Sequence, residues 1–116
     1  MKKSLSFFLF IVFVSCDAIF LEDITSLTVT PQAPLNNSEV DSGSVTFSWR
    51  LIDQAELYEI QIAEPDFQNA SQILLDTTLS SNTIQKSLDV GDYQWRIKAM
   101  NSDYETAYQT INFSVN

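Results

Sequence analysis

The chain has 116 residues with six Lys and Arg, fifteen Asp and Glu, no histidine and one cysteine, for a net charge of −9. Without histidine, Ser-His and Cys-His nucleophile pairs are excluded and zinc lacks its usual ligand set. So acidic a chain, with only Arg50, Lys86, Arg96 and Lys98 as cations beyond residue 15, does not suit a phosphate backbone.

The first element is a leader. Lys2 and Lys3 precede an apolar run from Leu5 to Val14, broken only by Ser6, and then Ser15 and Cys16. A bilayer-spanning helix needs roughly 20 apolar residues, so the run fits the core of a cleaved signal peptide at residues 1–15. Phe13-Val14-Ser15-Cys16 resembles the lipobox of bacterial lipoproteins. The resemblance implies cleavage before Cys16 and acylation of its thiol, with palmitate-type chains as the membrane contact. It places the domain in the bacterial cell envelope, anchored in the outer membrane and facing the periplasm or the exterior. Loss of Lys2 and Lys3 leaves four cations against fifteen acids, a net charge of −11. Such a surface resists aggregation and is repelled by anionic headgroups, so the acyl anchor carries the attachment.

Residues 16–26 form the lipidated cysteine and a tether, and residues 27–116 a single domain. Within the tether, Ala18-Ile19-Phe20-Leu21 is apolar and either lies at the bilayer interface or docks on the domain edge. Beyond it, alternating side chains between turn residues predict strands throughout, and no helical period is present. Leu27–Thr30 is read as the first strand, followed by a proline-marked loop, Pro31 to Asn37, unsuited to regular pairing. Ser44–Trp49 turns Val45, Phe47 and Trp49 inward; Leu57–Ala63 turns Tyr58, Ile60 and Ile62 inward. Ile73–Leu75 is short, and Asn82–Leu88 is weak, with Ile84 and Leu88 as its buried members. Tyr93–Ala99 is strongest, pointing Gln94, Arg96 and Lys98 outward, and Thr106–Val115 closes the series with Ile111, Phe113 and Val115 inward. Seven short strands imply an all-β, antiparallel, immunoglobulin-like β-sandwich.

Three segments carry a family resemblance: Val45-Thr-Phe-Ser-Trp49, Ala55 to Ala63, and Leu88 to Asn101, where Gly91 and Tyr93 mark the corner into a strand. The chain is similar to fibronectin type III domains. That resemblance implies that Tyr93 is a tyrosine corner, its ring in the core and its hydroxyl on upstream backbone. Another immunoglobulin-like subtype is the alternative, and the missing cysteine pair argues against a true immunoglobulin domain.

Trp49, Tyr58, Tyr93 and Trp95 are expected in the structural core. Tyr104 and Tyr108 flank the loop before the last strand and are read either as hydrogen-bonded loop residues or as ligand contacts. Phe67 is expected to fold over the sheet edge as a cap, with an exposed anchor as the alternative. Asp89 with Asp92 and Glu64 with Asp66 are commonplace turn acids, and no calcium-loop spacing occurs, so no catalytic residue, metal or cofactor is assigned. The triplets starting at Asn36, Asn69 and Asn112 match N-glycosylation acceptors at a level that chance explains, and Asp76-Thr77-Thr78 is similar to an O-glycosylation acceptor that some bacteria use on exported proteins. The expected function is a non-enzymatic, lipid-anchored module that binds a protein or surface glycan through edge strands and the loops Asp53–Glu56 and Asn101–Glu105. The alternatives are a structural spacer, an accessory subunit of a larger envelope complex, or the N-terminal part of a longer lipoprotein.

Overall fold

In the computed structural model residues 22–116 are described; Cys16, the leader and residues 17–21 lie outside them. Among the described residues eight strands form: β1 Pro31–Ala33, β2 Ser38–Val40, β3 Gly43–Trp49, β4 Leu57–Glu64, β5 Gln72–Leu79, β6 Thr83–Leu88, β7 Gly91–Met100 and β8 Gln109–Val115. They make a three-stranded sheet in the order β1-β3-β6 and a five-stranded sheet in the order β2-β8-β7-β4-β5.

The strands form where apolar residues recur at every second position, which lets one face of each sheet cover the other. Val45, Phe47 and Trp49 of β3 are buried against Tyr58, Ile60 and Ile62 of β4 and Tyr93, Trp95, Ile97 and Ala99 of β7. Phe47 meets Trp95 and Phe113 edge to face, with centroids 5.3 and 5.7 Å apart. Such pairs are worth about 0.5–1.5 kcal/mol beyond the area they bury.

The seven-strand count is corrected to eight, because the N-terminal strand is divided. Leu27–Thr30 buries Val29 but joins no ladder; its Leu27 N–H donates to the Ile24 carbonyl and its Thr30 carbonyl accepts from the Arg50 N–H, both at 2.9 Å. Pairing starts instead at the prolines: Pro31 opposes Trp49 and Ala33 opposes Ser48, with a register break between them. This is tolerated because Pro31 opens a strand on a sheet edge, where a missing N–H interrupts no ladder. After the turn at Leu35–Ser38 the chain crosses to the other sheet, and β2 runs parallel to β8, Ser38 opposite Phe113.

Two other boundaries differ from expectation. β5 runs on through Asp76, Thr77 and Thr78 to Leu79, because β4 offers partners along its length. The last strand begins at Gln109, not at Thr106, whose buried hydroxyl accepts from the Ala99 N–H and donates to the Ala107 carbonyl, both at 3.0 Å.

Chain direction puts residues 22–30, 50–56, 80–82 and 101–108 at one pole. Residues 41–42, 64–71, 89–90 and Asn116 lie at the other. At the first pole Ile24, within the segment read as tether, is fully buried, a contribution of about 1.5–3 kcal/mol.

Candidate ligand-binding face

The outer face of the five-stranded sheet takes its residues from the polar positions of β4, β7 and β8. Register sets Glu59 opposite Lys98, Gln61 opposite Arg96, Gln94 opposite Asn112 and Arg96 opposite Thr110. Neighbours across a ladder are close enough for their side chains to bond.

Arg96 is the centre of this face. Phe67 covers one side of its guanidinium, with Cζ 4.1 Å from the ring centroid, and Tyr108 lies at 4.3 Å. The Phe67 N–H donates to Gln94 Oε1 at 2.9 Å, which fixes the loop after β4 over the sheet. In the plane of the guanidinium, Nε donates to Gln61 Oε1 at 2.6 Å. Cation–π contact adds about 0.5–2 kcal/mol, more as the cation is desolvated.

A second cation continues the stack. Lys98 Nζ stands 4.7 Å from the Tyr108 centroid and pairs with Glu105 at 3.1 Å and Glu59 at 3.6 Å. Burial by itself lowers the Lys98 pKa, but the hydrogen bond to Glu105 and the negative charges around it prevail, and the net shift is upward. Tyr108 Oη donates to Glu59 Oε1 at 2.9 Å. Burial, this bond and the Glu59 charge raise its pKa against the pull of Lys98 and Arg96. Beside Arg96 a shallow cavity of about 370 Å³ is lined by Phe67, Gln68, Gln94, Thr110 and Asp66.

Of the two loop tyrosines, the structure puts Tyr108 on this face, whereas Tyr104 packs against the core and its N–H donates to Asn101 Oδ1 at 2.9 Å. Trp49, Tyr58, Tyr93 and Trp95 lie in the interior. Tyr93 Oη donates to the Asp89 carbonyl at 2.7 Å, four residues upstream. The Tyr93 pKa is raised, first by burial and then by Glu64 and Asp89. Tyr58 Oη accepts from the Ile52 N–H at 2.7 Å, and Trp95 Nε1 donates to the Pro34 carbonyl at 3.0 Å. Trp49 Nε1 is buried without a partner among the described residues.

Of the acids singled out in the turns, Asp66 and Glu64 bond across the loop after β4. Asp66 Oδ1 accepts from the Asn69 N–H at 2.7 Å, and Glu64 Oε1 from Gln72 Nε2 at 2.8 Å. Among the described residues no group of three or more acids, cysteines or histidines could hold a metal, and no helix is long and apolar enough to cross a membrane. The loops around Asp53 and Asn101 meet through Asn101 Nδ2, which donates to the Glu22 carbonyl at 3.0 Å and the Gln54 carbonyl at 3.4 Å.

Sequence reasoning placed Arg96 and Lys98 outward but did not single out Gln61, Arg96 or Phe67 for this face. The signal available was the two-residue period shared by β4 and β7. It yields the Gln61–Arg96 pair only once the register is known, and Phe67 reaches Arg96 through a loop that no period describes.

Two sheets, the split first strand and the tyrosine at the β6–β7 corner together define a fibronectin type III-like β-sandwich. Among solved structures the chain is similar to the fibronectin(III)-like modules of Clostridium thermocellum CbhA, with a TM-score of 0.52 and 16% identity, covering 76% of this chain and 94% of that one. At that identity the likeness concerns the fold. No protein-family model matches the chain, and no curated protein sequence matches it significantly.

Proposed function

We propose that the protein is a lipid-anchored, non-catalytic module of the bacterial cell envelope that binds a surface glycan through the outer face of its five-stranded sheet. The observation that carries this reading is the Phe67–Arg96–Tyr108 stack beside a cavity lined by Gln68, Thr110, Asp66 and Gln94, the last with its amide already bonded to the Phe67 N–H and to Asn112. Aromatic edges with several neutral hydrogen-bonding groups suit a sugar, whose hydroxyls need partners all around the ring.

The anchor supports the choice of sheet face over loops. Glu22 follows Cys16 by six residues, so an acyl group on Cys16 holds that pole within about 20 Å of the bilayer at full extension. Loops Asp53–Glu56 and Asn101–Glu105 share the pole with Glu22 and face the membrane in this arrangement. The sheet face stands beside that axis, open to a ligand.

An accessory role remains the second reading, favoured by β5. This edge strand of eight residues contains no Lys, Arg or Pro and leaves Ile73 52% exposed, features that invite pairing with a partner's strand.

Two measurements test the proposal. Cys16→Ala should move the protein from the detergent phase to the aqueous phase, and its retention in membranes contradicts the anchor. Surface glycans from envelope extracts should be retained by the native protein and released by Phe67→Ala with Tyr108→Ala. Equal retention contradicts the face.

A further inference from the structure

Arg96 has one edge in use and one open. Its guanidinium offers five N–H donors in a plane. Nε is committed to Gln61, the flat sides are covered by Phe67 and Tyr108, and among the described residues no carboxylate lies within ion-pair distance. Lys98 differs, since Glu59 and Glu105 satisfy it. Arg96 is therefore the cation on this face whose charge is not answered locally, and it lines the 370 Å³ cavity.

We propose that Arg96 is a carboxylate clamp, and that the glycan bound here is acidic, its uronate carboxylate received by the two Nη groups. This rests on the glycan reading above and specifies its chemistry. A guanidinium fork matches the two oxygens of a carboxylate, and the pair is strongest when both hydrogen bonds run parallel. The stack and the Gln61 bond hold the fork before the ligand arrives, so little side-chain freedom is lost on binding.

Two local carboxylates constrain the site. Asp66 lines the same cavity, but its Oδ1 is turned to the Asn69 N–H. Asp76 sits beyond Gln61, one strand further from Arg96. The net negative charge of the chain opposes a polyanion at long range, but this repulsion is screened beyond about 8 Å at physiological salt, whereas the clamp acts in contact. A peptide ligand is disfavoured because Phe67 is the one apolar side chain in the cavity lining and its ring is already stacked on Arg96, which leaves no apolar pocket for an anchor side chain.

The test titrates the intact protein in detergent micelles with a tetragalacturonate, its uncharged methyl ester and a hexaglutamate peptide, read by tryptophan fluorescence and calorimetry. The uronate should bind at least ~10-fold more tightly than the ester, the equivalent of about 1.4 kcal/mol. Arg96→Gln should remove that preference, and Arg96→Lys should retain part of it. The ester comparison holds whether or not the variants fold. Equal binding of uronate and ester overturns the clamp and leaves the glycan face standing. Equal binding of hexaglutamate overturns the acidic-sugar assignment, and absence of any glycan binding overturns both.

Discussion

Trp95 Nε1 donates to the carbonyl of Pro34 across 3.0 Å of closed interior, joining the middle of β7 to the point where the N-terminal strand leaves one sheet for the other. The other tryptophan, Trp49, is equally buried, 6.4 Å away between centroids, and its indole N–H has no partner among the described residues.

That contrast predicts unequal costs for the same substitution. Trp95→Phe removes volume and leaves the Pro34 carbonyl unpaired, which adds about 1–3 kcal/mol to the packing loss. Trp49→Phe removes volume but deletes an unpaired donor, so its cost is smaller. Urea unfolding of both variants checks this; equal loss at the two positions contradicts it.

The tyrosine hydroxyls have separate worth. Tyr93→Phe deletes the bond to the Asp89 carbonyl and should lower stability by about 0.5–1.5 kcal/mol. Tyr58→Phe strips the Ile52 N–H of its acceptor and should cost about 1–3 kcal/mol, the penalty for a donor left unpaired. An undiminished midpoint in either variant rules out the corresponding bond.

The two glycines differ in kind. Gly43 has φ +113°, so Gly43→Ala should cost more than about 1 kcal/mol even though a Cβ there meets open space. At Gly91 a Cβ would come within 2.7 Å of Glu64 Oε2, the end of a flexible side chain that can swing aside by giving up its bond to Gln72. Gly91→Ala should therefore cost less than Gly43→Ala in thermal melts.

Alkali should weaken the fold through three groups. Lys98, Tyr108 and Tyr93 all have raised pKa values in the folded chain. Each then holds its proton more tightly folded than unfolded, so stability falls as pH rises. Their contribution is complete below the unfolded values of about 10 for Tyr and 10.4 for Lys, and is lost as pH passes through the folded values. Unfolding midpoints measured across that range should decline. A midpoint rising above pH ~10 contradicts the shifts.

The interior of the fold was legible because β3, β4, β7 and β8 bury every second residue, and that period needs no knowledge of neighbours. The first strand was misjudged because Leu27 and Val29 alternate like a strand, while pairing depends on which backbone β3 leaves open, and β3 accepts Pro31 and Ala33. β5 was read too short for a related reason: Asp76-Thr77-Thr78 is polar, but the whole segment is zipped to β4. On the candidate face the outward set of β7 was evident. The stack around Arg96 was not, since it joins residues 67, 96 and 108 through a loop and a register that composition does not encode.

The parallel pairing of β2 with β8 gives the protein a mechanical character. Their ladder, extended by Asn37 N–H to the Asn112 carbonyl at 2.7 Å and Asn116 N–H to the Val40 carbonyl at 2.9 Å, clasps Ser38–Val40 to the last strand. Tension applied between Glu22 and Asn116 drags these two strands in opposite directions along their length. Their hydrogen bonds share that load together instead of opening one after another, so the clasp resists a tug better than a hairpin peeled from its end.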